Sequence, residues 1–105
     1  MGTWQQTYID SVATKELVQY EFVPISVDII SRGVCNIITH DTTSHGFVTT
    51  RGEYVLSDND SHLLYVFMHL NNGHIETRAF EFKSLSSQEM TLFSIDAGEV
   101  LRFRK

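Results

Sequence analysis

The segment "LLYVFMHLNNGHIETRAFEF" constrains this chain more than any other, because two alternating apolar runs flank Asn72-Gly73. Asn-Gly is the preferred pair for a two-residue type I′ hairpin turn, whose twist matches that of the strands it joins. Such a turn sets the register. On one face of the ribbon Asn71 opposes His74, His69 opposes Glu76, Phe67 opposes Arg78, Tyr65 opposes Phe80 and Leu63 opposes Phe82. On the other face Leu70 opposes Ile75, Met68 opposes Thr77, Val66 opposes Ala79 and Leu64 opposes Glu81. Both faces are largely apolar, so each needs cover: a barrel interior on one side, a partner subunit or covering segment on the other.

The same period-two alternation recurs along the chain, with Pro24 as the single proline. Expected strands are Thr3 to Ile9, Val27 to Ile30, Val34 to Thr39, Phe47 to Arg51, Glu53 to Ser57, Leu63 to Leu70, Ile75 to Lys83, Met90 to Ile95 and Val100 to Arg104. Turn-rich clusters separate them, among them "SRG", "HDTTSHG", "SDNDS", "NNG" and "DAGE". In "SVATKELVQYEF", Thr14 suits the cap of a short helical turn, and the stretch suits an extended strand equally well. The chain of 105 residues forms one domain. Eight strands of about eight or nine residues with short turns consume about 100 residues, and closure removes exposed sheet edges. The expectation is therefore all-β: an antiparallel up-and-down β-barrel of about eight strands, with a two-sheet sandwich left open.

Charge and composition exclude several functions. The formal net charge is −5, and the basic residues cluster only at Arg102, Arg104 and Lys105, so there is no footprint for nucleic acid. No apolar run approaches the roughly 20 residues of a transmembrane segment. Cys35 is the single cysteine, which rules out an internal disulfide; its alternating apolar context reads as a buried strand thiol.

Three features then enter a resemblance. Gly2-Thr3-Trp4 matches the G-x-W that opens the first strand of lipocalin-like (calycin) β-barrels. "GEYVLSDNDSHLLYVF" looks like that family's central strand, polar turn and following strand, and "EFKSLSSQEMTLFSIDAGEVLRFRK" like its closing pair. The chain is thus similar to short lipocalin-like domains of bacterial envelopes over most of its length, least so from Ser11 to Ser44. The resemblance implies a periplasmic or lipoprotein-anchored place in the envelope. It also implies a tryptophan plug at the closed barrel end, with Arg102 or Arg104 against Trp4 as a cation–π partner. The chain is much shorter than typical secreted lipocalins and shows neither their disulfide nor a clear long C-terminal helix, which implies a lumen that is small or filled by side chains.

For ligand binding the sequence singles out Arg78, which the inferred register sets among Tyr65, Phe67, Phe80 and Phe82. If that face is the lumen, these five residues form an apolar pocket with one anchor for the carboxylate of a small hydrophobic or amphipathic ligand. Two other readings of Arg78 stay open: an ion pair with Glu76, Glu81 or another acid, or an outward orientation. His69 opposite Glu76 reads as a solvated pair rather than an acid–base couple. Neither His40, Asp41 and His45 nor the acidic turn Ser57 to Ser61 has the spacing of a metal site, so no metal and no cofactor is expected. No G-x-S-x-G, oriented nucleophile or phosphate-cradling glycine loop is legible, so the expectation is a non-enzymatic protein. The alternative is a structural or protein-interaction module with a solid barrel, whose Leu64, Val66, Met68 and Leu70 face makes a homodimer or partner contact.

Overall fold

The computed structural model describes residues 2–14, 17–41, 46–57 and 63–105. Among them run nine strands: β1 (Gly2–Ile9), β2 (Val12–Ala13), β3 (Val18–Pro24), β4 (Arg32–Asp41), β5 (Gly46–Leu56), β6 (Leu63–His69), β7 (Ile75–Leu85), β8 (Glu89–Ser94) and β9 (Glu99–Arg104). From β3 to β9 each strand pairs antiparallel with the next, β1 joins β3, and β1 also pairs with β9. The result is a closed eight-stranded antiparallel barrel, with β2 as an extra two-residue strand on the far end of β1. No described residue is helical.

Alternation fills the interior from every barrel strand. Trp4, Tyr20, Phe22, Cys35, Ile37, Tyr54, Leu64, Val66, Met68, Phe80, Met90, Leu92, Leu101 and Phe103 form one buried cluster, and Phe82 packs against it. Edge-to-face aromatic pairs link it, with Tyr20 and Phe103 ring centroids 4.9 Å apart and Phe22 and Tyr54 5.3 Å apart. No buried side-chain nitrogen or oxygen among the described residues lacks a partner. Trp4 is buried in this cluster, and the cation over its ring is Lys105, with Nζ 5.0 Å from the centroid, not Arg102 or Arg104. Arg102 and Arg104 fall on the opposite parity of β9 and are exposed.

Several sequence expectations change here. The hairpin turn is one residue longer than Asn72-Gly73 suggested. Leu70 N–H donates to His74 O at 2.9 Å and Gly73 N–H donates to Leu70 O at 3.1 Å, with Gly73 at φ 83°. This is a three-residue loop in which a turn is followed by a left-handed glycine; a type I′ turn would need positive φ at Asn72 as well. Leu64 consequently opposes Phe80, Val66 opposes Arg78 and Met68 opposes Glu76. The one-residue slip sends the Leu64, Val66 and Met68 side chains into the core instead of a partner face, and leaves Leu70 in the turn.

Val27 to Ile30 is not a strand. Pro24 ends β3, and the Ser26 hydroxyl accepts the N–H groups of Asp28 and Ile29 at 3.3 and 3.1 Å, folding the segment into an exposed bend. The strand lies earlier, where Val18, Tyr20 and Phe22 alternate inward. The two runs Phe47 to Arg51 and Glu53 to Ser57 join into one strand through Gly52. A side chain at Gly52 would meet the Phe67 carbonyl oxygen, so glycine lets β5 bend closely over β6.

Cys35 lies wholly inside, and burial pushes its thiol from 9.0 up to about 12. At pH 8 the native protein is expected to resist iodoacetamide while protein unfolded in urea is labelled fully; equally fast native labelling would contradict a closed wall. The unfolded thiol ionises first, so the stabilisation from this group is intact below pH 9 and is lost as pH rises toward 12.

Candidate functional site

With the interior filled, the usable space lies at the barrel end opposite Trp4. There the register sets Gln6 of β1, Tyr20 of β3, Arg78 and Phe80 of β7, Ser94 of β8 and Leu101 of β9 around a cavity of about 320 Å³. Buried Phe80 and Leu101 give it an apolar floor, and the more exposed Ile9, Ala97, Glu76, Asp96 and Glu99 line it as well. The β8–β9 turn brings Asp96 to the rim: Ile95 N–H donates to Ala79 O at 3.0 Å, and Asp96 Oδ2 accepts the Ala79 N–H at 3.0 Å.

Arg78 is half-buried. Its Nε donates to Glu76 Oε1 at 3.3 Å and its Nη1 to the Tyr20 hydroxyl at 3.4 Å. Burial works against the charge on the guanidinium, but Tyr20 and Glu76 outweigh it and hold the pKa above its ordinary value. Burial raises the Tyr20 pKa, with Arg78 opposing. Arg78 is therefore a fixed cation already balanced by Glu76, the ion-pair reading that the sequence left open.

The five residues singled out from the sequence divide between two faces. Arg78, Phe80 and Phe82 stay together on the inward side of β7, with Arg78 and Phe80 on the cavity and Phe82 toward the opposite end. Tyr65 and Phe67 alternate with the buried Leu64, Val66 and Met68 and so face outward, a direct result of the slipped register. The pairing of His69 with Glu76 also gives way: His69 Nε2 and Glu53 Oε2 lie 2.6 Å apart on the outer wall. His40 packs its ring edge-on to Phe47, with centroids 5.4 Å apart. His45 and residues 58–61 of the acidic turn lie outside the described residues, and no metal-binding cluster occurs among the described ones. Sequence reasoning missed Tyr20, Asp96 and Glu99. The alternation in "LVQYEF" was the available signal for Tyr20; a turn acid such as Asp96 has none.

A larger hollow of about 480 Å³ lies on the outer wall between β3, β4 and β5, lined by Val23, Pro24, Ile25, Val34 and Val55. Size favours it, but its polar side chains are only Arg32, Glu53 and Tyr54, whose hydroxyl already donates to Ile30 O. The mouth unites a floor, a fixed cation and several acids, which is the usual composition of a ligand site.

These features define a closed antiparallel barrel with a filled interior and one polar mouth. Among solved structures, an uncharacterized protein from Bacteroides eggerthii has the same fold: TM-score 0.73, 17% identity, covering 100% of this chain and 98% of that one. No protein-family model and no curated protein matches the chain.

Proposed function

We propose that this is a non-enzymatic, lipocalin-like binding barrel whose mouth, rather than its filled interior, holds a small amphipathic molecule with a neutral or cationic head. The observation that carries the reading is charge: Arg78 is the cation of the cavity and faces three rim carboxylates, Glu76, Asp96 and Glu99. A free carboxylate ligand would meet net repulsion. An amine or hydroxyl head would find acceptors, with its apolar part on Phe80 and Leu101. The non-enzymatic reading is supported by how the polar groups are occupied: Arg78 is held by Glu76 and Tyr20, and Asp96 by a backbone amide.

Decylamine and decanoate, matched in chain length, test this by amide chemical-shift titration. Decylamine is expected to give saturable shifts at Thr77, Ala97 and Leu101 and decanoate none. Glu99→Gln, which removes a carboxylate that makes no ion pair among the described residues, should weaken amine binding by roughly five-fold, the effect of about 1 kcal/mol of Coulomb attraction near a surface. Equal binding of decanoate, shifts confined to the outer wall, or no saturable binding would each sink the proposal. The filled interior also supports a second reading, a protein-interaction module.

A further inference from the structure

The bend that joins β3 to β4 is made of the wrong residues for a solvated connection. Connections of this length are normally built from polar and turn-forming residues, yet Ile25, Val27, Ile29 and Ile30 are all exposed here, Val27 to 93%. Single apolar residues on a surface need no explanation, whereas a contiguous group marks a contact. The bend is also held in shape. Ile25 N–H donates to Arg32 O at 3.1 Å across its base, the Tyr54 hydroxyl donates to Ile30 O at 2.9 Å, and Leu56 N–H donates to Ser31 O at 2.7 Å. With the Ser26 hydroxyl bonds inside it, the projection is formed before anything meets it, which lowers the cost of docking.

Beside the bend lies the outer-wall hollow of about 480 Å³, and the two share residues. Ile25 and Arg32, the pair at the base of the bend, line the hollow together with Val23, Val34 and Val55. One continuous surface is thus convex and apolar at the bend and concave and apolar next to it. A cavity of ~150 Å³ already admits a benzene molecule, so the hollow has room for more than one branched side chain. Charge divides in the same way. Asp28 sits on the bend and Arg32 on the hollow, and neither makes an ion pair among the described residues, whereas Glu53, the other charged group of the hollow, is taken by His69.

We propose that a second copy of the chain covers this surface about a two-fold axis. The bend of each copy enters the hollow of the other, with Val27 leading and Asp28 of one copy meeting Arg32 of its counterpart. In a two-fold contact each pairing is made twice, by one surface that carries both halves. An unrelated protein would have to supply both a matching apolar projection and a matching recess of opposite charge. The exposed side chains of the bend, with Val23 and Val55, amount to several hundred Å² per copy. The dimer therefore buries about 1,000 Å² in total, which places it among small, weak interfaces with a Kd on the order of 10–100 μM.

Sedimentation velocity from about 5 μM to about 1 mM, bracketing that range, is expected to show a reversible monomer–dimer equilibrium. Asp28→Arg and Arg32→Asp each set like charges opposite one another twice, and each is expected to raise Kd at least ten-fold. The double variant restores opposite charges, and its Kd is expected to return to within about three-fold of the parent. That rescue separates a contact from a loss of folding. Val27→Lys changes a side chain that faces solvent in the monomer. It is expected to raise Kd at least ten-fold while the melting temperature of the monomer stays nearly unchanged. A protein that stays monomeric at the highest concentration overturns the proposal, including one that binds phosphatidylcholine vesicles instead, which would make the bend a lipid contact. A dimer indifferent to Val27→Lys, or charge variants that the double substitution fails to rescue, overturns it as well. Amine binding at the mouth is read from other residues, so either proposal can fail without the other.

Discussion

Trp4→Ala is expected to destabilise the protein by roughly 3–5 kcal/mol, the range for truncating a buried large aromatic. Trp4 is 3% exposed, lies in the core cluster and closes the barrel end where β1 meets β3. Removing the indole loses its own burial, opens a cavity in the core cluster, and strips the Lys105 ammonium of its ring. Urea unfolding checks this: the midpoint should fall with little change in slope. A variant as stable as the parent would show that Trp4 is not the plug. Since the tryptophan does not line the Arg78 cavity, the folded fraction should retain the ligand behaviour of the parent.

Gly52→Ala is expected to be at least as severe, costing ~3 kcal/mol or more although it adds a single methyl group. A Cβ there would lie 2.0 Å from the Phe67 carbonyl oxygen and 3.0 Å from Met68 Cα. Both obstacles are backbone, so no side chain can rotate away, and relief requires β5 and β6 to separate. Gly73→Ala is the useful contrast, since a Cβ there meets nothing within 4 Å while φ is +83°. That substitution should cost only about 1–2 kcal/mol, the penalty of a left-handed backbone. Denaturant midpoints compared for both variants would sink the close-approach argument if Gly52→Ala proved the milder.

Alternation made the barrel legible: β6, β7, β8 and β9 lie within a residue or two of where the sequence sets them, and closure follows from a meander with no residues left for crossovers. Faces were less secure. A single glycine serves as well at the end of a three-residue loop as inside a two-residue one, and the difference of one residue exchanged Tyr65 and Phe67 from inside to outside. Ile29 and Ile30 read as strand because they are β-branched, but the Ser26 hydroxyl captures the local N–H groups that a ladder would need. The candidate site was half legible. Arg78 is conspicuous because a charge amid aromatic residues demands a partner, and Tyr20 faces inward by local alternation but meets Arg78 only across the closed barrel, whereas Asp96 and Glu99 reach the cavity through β8–β9 geometry that no local pattern encodes.

The β1–β9 seam carries a consequence for how this barrel is made. The other ladders join strands close in sequence and close loops of a few to some twenty residues, but Gln6 meets Phe103 only after nearly the whole chain has been gathered. Loop-closure entropy grows with the logarithm of length, so forming this ladder costs about 2 kcal/mol more than forming a ten-residue hairpin. The meander can assemble hairpin by hairpin, while the seam must wait until both flanking strands already have their other neighbours. Until then the barrel is an open, curled sheet with two free edges, and its period of exposure to wrong partners is set by the slowest and most distant contact it makes.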